Sequence, residues 1–375
     1  MKPSQPARRQ DTQGFSLVEV LVSTALIMLI LLTLVSMVNF SAHTWTYTNS
    51  KIEQFRDARD AFESVTRRLS QATLNTYWDY QGDATTGNVT AYIRLSELRF
   101  ISGPGVAGTA DGSHPRPTHS VFFQAPLGIT SGTTVTNYAD LQTMLNTVGY
   151  YIEFSSDEKL RPPCVVTARP GNVNYRFRLM EMVEPAESLT LYTYTSGTDD
   201  NGKRKATTYK NTDWFTAPLN KITPLGIPEY SRVVADNVVA LVLLPKRSVQ
   251  EDSTGKALCP NYSYNSAKTD DADDATVDAK INWKNQLPPV VQVTMVAVDE
   301  ASYNRYQNGS TTPALMATLG NLFTTVGDTQ DANSTGYAYD LKKLTTALRA
   351  AKINYRVFTT DVAIRGAKWS TVQTN

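Results

Sequence analysis

The chain has 375 residues, a formal net charge of +1 at pH 7 and 41% apolar residues. This length can hold one large domain or two ordinary ones, and the near-zero charge gives no overall electrostatic signal for nucleic-acid binding. The two cysteines exclude a disulfide-dense small domain and any zinc site built from four cysteines. A mean hydropathy of -0.30 excludes a protein with many membrane spans.

The apolar residues are concentrated near the N-terminus, in residues 15–40. Nineteen of these 26 residues are apolar, and only Glu19 is charged. As a helix rising about 1.5 Å per residue, the segment would be about 39 Å long, enough to cross a hydrocarbon core of about 30 Å. Three basic side chains precede it, Lys2, Arg8 and Arg9, and none follows until position 51. The positive-inside rule therefore predicts a cytoplasmic N-terminus and an outward-facing remainder.

Three interpretations of this apolar segment compete. A cleavable secretory signal has an apolar region of only about 7 to 15 residues before a small-residue cleavage site, which residues 37–40 do not provide. A plain signal anchor fits the length. However, an unpaired carboxylate inside the apolar run costs about 3 kcal/mol or more, so a plain anchor leaves Glu19 unexplained. The position of Glu19 favours the third interpretation.

Gly14, Phe15 and Glu19 resemble the cleavage motif of type IV prepilins and pseudopilins. The resemblance implies that a prepilin peptidase and N-methyltransferase cuts after Gly14 on the cytoplasmic side and methylates the new N-terminal Phe15. Glu19 would then be the fifth residue of the mature chain. The cut would create a cationic amine about one helical turn from Glu19. Pairing of Glu19 with such an amine, in its own or a neighbouring subunit, would offset the burial cost and set the register between subunits.

The helix is predicted to continue beyond the membrane to about residue 75. Apolar side chains recur on one stripe of residues 50–75, which predicts an amphipathic helix; they are Ile52, Phe55, Phe62, Val65, Leu69 and Ala72. The sequence therefore divides into a cytoplasmic leader, a transmembrane and assembly helix, its amphipathic continuation and an outer domain. These parts are residues 1–14, 15–40, 41–75 and 76–375.

The outer domain is predicted to be α+β. Segments rich in β-branched and aromatic residues are candidate strands: residues 91–101, 120–125, 150–154, 175–183, 238–244, 290–298 and 354–364. Short helices are expected at residues 138–146, 301–306 and 339–351. Polar stretches at residues 103–117, 195–208 and 248–278 are expected to be loops or insertions. Together these features predict a pilin-like fold, in which the long N-terminal helix packs on a mostly antiparallel sheet.

Two narrower resemblances follow from the strand segments. Residues 233–244 followed by residues 287–298 are similar to the corresponding strands of the J-type minor pseudopilins of type II secretion. More of the chain resembles the Verru_Chthon cassette protein C family, a group of large prepilin-like proteins without an assigned biochemical role. The similar blocks are residues 52–80, 119–128, 175–185, 287–302 and 355–370. This match bears on identity more than on mechanism.

Few other side chains suggest chemistry. His114 and His119 could ligate a metal, but their spacing of five does not suit a helical pair and no third ligand is evident. The acidic run at residues 270–274 could bind calcium, yet it lacks the spacing of an EF-hand loop, so a solvated loop is the alternative and no cofactor is expected. Cys164 and Cys259 could form a disulfide in an oxidising compartment, with unpaired thiols as the alternative.

No phosphate-binding loop, nucleophile elbow or zinc-protease motif is present, so we expect no catalytic residues and a structural role. The expected role is that of a minor pseudopilin anchored in the inner membrane, with a periplasmic outer domain. It would assemble with other pseudopilins or pilins into a short periplasmic filament. The alternatives are a membrane-anchored binding domain or enzyme that does not polymerise, and a DNA-uptake pilin. Residues 20–375 carry 33 basic and 33 acidic side chains, and this balance disfavours nucleic acid as a partner.

Overall fold

The structure is a computed structural model of the 375-residue chain. It describes residues 16–82, 86, 88–108, 114–131, 143–168, 171, 173–193, 212–223, 228–248, 257–259, 261–267, 283–307, 314–326 and 336–368. Contacts divide the chain into two compact units, Met1–Gln54 and Phe55–Asn375. In its described part, the first unit is helical, and the second is an α+β domain.

A single helix, α1 (Leu17–Leu69), contributes residues to both units. Neither glycine nor proline occurs between Gly14 and Gly82, so nothing in the sequence interrupts it. The helix ends six residues before the predicted boundary at residue 75. Beyond it, the backbone N–H of Thr73 donates a hydrogen bond to the carbonyl of Gln124, which joins this segment to the sheet domain.

The described part of the second unit contains three antiparallel sheets. The first is a hairpin of β1 (Tyr77–Gly82) and β2 (Val89–Leu95). The six-stranded sheet has the order β7 (Ser231–Asp236), β6 (Tyr175–Glu184), β5 (Leu145–Ser156), β4 (His119–Pro126), β3 (Phe100–Pro104) and β9 (Tyr264–Asn265). The three-stranded sheet has the order β11 (Tyr355–Ala363), β10 (Val290–Val298) and β8 (Val238–Lys246).

Six further helices are described in this unit. They are α2 (Pro163–Ala168), α3 (Thr190–Thr193), α4 (Asp213–Leu219), α5 (Glu300–Gln307), α6 (Met316–Leu319) and α7 (Tyr337–Ala350). Two of them, α5 and α7, confirm the helices predicted at residues 301–306 and 339–351. The third predicted helix, at residues 138–146, lies largely outside the described residues, and its last two residues begin β5.

The main core joins α1 to both large sheets. One face of the second half of α1 is buried there, through Ala58, Ala61, Phe62, Val65 and Leu69. Strand β8 is buried along almost its whole length, which explains its continuous run of apolar residues. The amphipathic stripe predicted from the sequence is therefore the side of the helix that packs into its own domain.

A second, smaller core covers the other face of the six-stranded sheet. Phe215 from α4 stacks on Phe122 of β4 with ring centroids 4.3 Å apart. Gly149 pairs with Phe122 across the neighbouring strand, and a Cβ atom at this position would lie 2.3 Å from the Phe122 ring. A glycine is therefore required in β5 so that the ring can lie flat over the sheet.

Most predicted strands are confirmed, but the one predicted at residues 91–101 is wrong. The structure divides it into β2 and β3, which belong to different sheets. The break is stabilised by Asn75, whose side-chain oxygen accepts hydrogen bonds from the backbone N–H groups of Glu97 and Leu98 at 2.9 and 3.0 Å. Strands β1, β7 and β9 were not predicted.

Candidate assembly site

Glu19 lies in the first turn of α1, where its backbone N–H donates to the carbonyl of Ser16 at 3.0 Å. Its side chain is exposed. An acidic side chain at this position also interacts favourably with the positive end of the helix dipole. Gly14 and Phe15, the other two predicted site residues, lie outside the described residues.

The apolar part of α1 exposes its side chains on all sides. From Ser16 to Asn49 every side chain is exposed, including Leu32 at 73% and Phe40 at 74%. The segment Leu17–Asn49 contains an 18-residue window with a mean hydropathy of 2.6 and, as a helix, is about 50 Å long. A helix that is apolar all round is stable only inside a membrane or a bundle of other helices. This segment is therefore built to be covered by lipid or by neighbouring helices.

Four hydroxyl groups within this segment are satisfied by the helix backbone. The hydroxyl groups of Ser23, Thr24, Thr33 and Ser36 donate hydrogen bonds to carbonyls three or four residues earlier, at 2.8 to 3.0 Å. Because these donors are satisfied by the helix itself, they add little to the cost of placing the helix in an apolar environment.

A buried carboxylate holds the last turn of α1 to the six-stranded sheet. One oxygen of Glu181 in β6 accepts hydrogen bonds from Arg68 of the helix and, at 2.5 Å, from the hydroxyl of Tyr150 in β5. Its other oxygen accepts from Nε of Arg232 in β7 at 2.7 Å. Burial, and secondly the Glu181 charge, raise the pKa of Tyr150 well above its usual value. The helix is thus attached to three strands through one side chain.

His119 has a structural role in the second unit. Its Nδ1 accepts a hydrogen bond from the backbone N–H of Leu243 at 3.0 Å, and its Nε2 lies 2.7 Å from the carbonyl of Phe323, to which it donates in this tautomer. Next to it, Thr118 Oγ1 accepts from the N–H of Leu241 at 3.3 Å. These two N–H groups lie on the edge of β8 away from β10, where the described residues add only an isolated bridge between Lys246 and Ala257. Burial lowers the pKa of His119 to about 4, in agreement with a neutral ring.

The remaining candidate site residues are His114, the acidic run and the two cysteines. The described residues contain no group of three or more His, Cys, Asp or Glu arranged to hold a metal ion. The acidic run at residues 270–274 lies outside the described residues. Cys164 is exposed in α2 and Cys259 is buried in the main core, and the structure has no disulfide between them.

Strand β6 carries buried charges that were not predicted from the sequence. Arg178 is almost completely buried and donates to Asp236 at 3.0 Å and to the carbonyl of Ser155 at 2.6 Å. Glu184 is also buried and accepts from the backbone N–H of Thr190 at 3.0 Å. The sequence did offer one indication, because charged residues occur within a strand whose other residues are mostly apolar.

Comparison with known proteins identifies one feature of the chain. Residues 9–35 match the family model described as the prokaryotic N-terminal methylation motif. No curated protein and no solved structure gives a significant match. The matched residues include Gly14, Phe15 and Glu19. Together with the long helix and the antiparallel sheet domain, the motif supports a pilin-like protein of the prepilin type, anchored by its apolar N-terminal helix.

Proposed function

We propose that this prepilin-type protein is a minor, J-like pseudopilin or pilin-like subunit of a type II secretion-like or type IV pilus-like system. The proposal rests on one observation. The apolar helix segment Leu17–Asn49 is exposed along its whole length, and the methylation motif lies at its start. The resemblance to the Verru_Chthon cassette protein C family agrees with this role and leaves the secreted cargo open.

Processing is the first step of the proposed mechanism. The basic leader stays in the cytoplasm, the chain crosses the inner membrane once, and residues 76–375 lie in the periplasm. A prepilin peptidase cuts between Gly14 and Phe15 and methylates the Phe15 amine. Cleavage removes the leader with its three basic side chains, so the mature helix begins with one cationic amine four residues before Glu19.

Assembly is the second step. The apolar surface of residues 17–49 is buried against the helices of other subunits, which contributes about 25 cal/mol for each Å² of apolar area removed from a polar environment. Within lipid that gain is small, and association there rests on close packing and on polar pairing. Glu19 supplies the polar pair and therefore the register. The large outer domain suits a position at or near the filament tip.

Mass spectrometry of the protein purified from its native membrane tests the processing step. The expected mature N-terminus is methyl-phenylalanine at Phe15, and an intact Met1 would refute the proposal. Gly14→Trp should block cleavage, whereas Gln13→Ala, a matched change one residue earlier, should leave it unaffected.

Assembly is tested by following incorporation of variants into filaments by electron microscopy and cross-linking. Glu19→Ala should insert into the membrane at least as well as the wild type, because a buried charge has been removed, but should incorporate poorly. Ser23→Ala, one turn further along, should incorporate normally. Normal incorporation of Glu19→Ala would refute the register role. If the protein is instead a membrane-anchored binding domain, the wild type itself should be absent from filaments, whether or not its leader is cleaved.

A further inference from the structure

The β1–β2 hairpin carries an exposed strip of aromatic side chains on one face. Trp78 pairs with Arg94 across the two strands, and Tyr80 pairs with Tyr92. Because alternate residues of a strand point to the same face, these four side chains lie side by side, and we refer to them as the aromatic strip. The Arg94 guanidinium lies 5.1 Å from the centre of the Trp78 ring, and the two tyrosine rings are 5.0 Å apart.

The strip is held in place by the base of the hairpin. The side chain of Asn285 donates to the carbonyl of Arg94 at 2.6 Å and accepts from Arg99 at 3.0 Å. At the same end, Asn75 accepts from the backbone of Glu97 and Leu98. The rings are therefore presented from a fixed platform, and little ordering of the backbone remains to be done when a ligand binds.

The charge of the strip is positive and unbalanced. No carboxylate in the described part of the chain forms an ion pair with Arg94. Asp79, between Trp78 and Tyr80, alternates to the opposite face of the hairpin, and the carboxylate of Glu97 accepts a hydrogen bond from Asn75 at 3.4 Å. A second copy of the same face would bring two unpaired guanidinium groups together, so charge complementarity favours an anionic ligand over self-association.

The area of the strip is small. Trp78, Tyr80 and Tyr92 are 55%, 60% and 60% exposed. With about 150–250 Å² for each aromatic side chain, the rings offer roughly 260–440 Å² to a ligand. A stable protein–protein interface needs about 800 Å² from each partner. The strip is therefore too small to hold a globular partner by itself and suits a narrow, linear ligand.

We propose that the aromatic strip binds a linear polysaccharide that carries carboxylate groups. The apolar faces of the sugar rings would stack on Trp78, Tyr80 and Tyr92, and a carboxylate would accept a bidentate hydrogen bond from Arg94. Single-stranded nucleic acid also stacks on aromatic rings, but it needs a basic groove that follows the phosphates. The strip supplies one cation, so a sparsely charged sugar polymer fits it better. This site does not depend on the proposed assembly role.

Isothermal titration of the full-length chain in detergent micelles tests the site, with hexagalacturonate as the probe. Wild type should bind it, and should bind neutral cellohexaose and hexathymidylate more weakly. Trp78→Ala should weaken binding about tenfold, because one stacking platform is lost. Tyr77→Ala removes an aromatic ring from the opposite face of the same strand, and should change the affinity by less than about twofold.

Two milder variants keep the test independent of folding. Trp78→Phe should retain part of the affinity for hexagalacturonate. Arg94→Gln should weaken binding of hexagalacturonate but leave that of cellohexaose unchanged. No binding by the wild type, equal losses in Trp78→Ala and Tyr77→Ala, or tighter binding of hexathymidylate than of hexagalacturonate would each overturn the proposal.

Discussion

His119 offers a sharp test of how the two large sheets are joined. Replacing it with leucine removes the acceptor for the Leu243 N–H and the donor for the Phe323 carbonyl, and both groups are buried beside it. Each buried polar group left without a partner costs about 1–3 kcal/mol. We therefore expect His119→Leu to lower the free energy of unfolding of the outer domain by about 2–6 kcal/mol at pH 7.

The same residue predicts a pH dependence. Burial lowers the pKa of His119 to about 4 in the folded protein, whereas an unfolded histidine has a pKa of about 6.5. Between these values the unfolded state binds more protons, so the stabilisation is complete above about pH 6.5 and is lost as the pH falls towards 4. The difference corresponds to about 3 kcal/mol.

Urea denaturation in micelles at pH 7 and pH 4.5, followed by the fluorescence of buried tryptophans such as Trp283, measures both effects. Wild type should lose stability at the lower pH, and His119→Leu should lose about 2 kcal/mol less over the same interval. His114→Gln, a change in a partly buried loop histidine, should behave as the wild type. An equal acid-induced loss in wild type and His119→Leu would refute the reasoning.

Three further predictions concern the outer domain and use the same denaturation assay. Glu181→Gln leaves Arg68 without its buried carboxylate and should destabilise by about 3–5 kcal/mol; a loss below 1 kcal/mol would contradict the anchoring role. Leu69→Ala should cost about 2–5 kcal/mol, whereas Leu31→Ala in the exposed segment should leave the midpoint unchanged. Burial raises the pKa of Glu184 to about 7, so the stability it contributes is complete below about pH 4.5 and falls as the pH rises through 7. Glu184→Gln should therefore gain stability relative to the wild type at pH 8, and an unchanged difference between pH 5 and pH 8 would contradict this.

The local pattern of apolar and charged residues was enough to predict the long helix and most of the strands. The first half of α1 is apolar on all sides and the second half on one stripe, and this change predicted which half would be exposed and which would pack against the sheets. Strand β10 has the predicted bounds. The motif residue Glu19 could be identified because its charge stands alone in an apolar run. The proposal that Glu19 becomes the fifth residue of a mature chain rests on the resemblance to prepilins.

The features that were missed depend on residues far apart in the chain. The break between β2 and β3 is made by the side chain of Asn75, and no local pattern indicates it. Glu181 is satisfied by groups from a helix and two other strands, so its burial could not be read from its own strand. The aromatic strip became visible only when the register placed Trp78 opposite Arg94.

The side chains that occupy the edge of β8 have a consequence for the proposed role as a filament subunit. An open strand edge is a template on which a strand of another chain can pair, and crowding of subunits increases that risk. Thr118 and His119 already accept the hydrogen bonds of the N–H groups that such a strand would need. Intruding strands would have to displace a buried imidazole first. The edge of β8 is therefore closed to strand pairing between neighbouring subunits, even where the proposed assembly would crowd their outer domains.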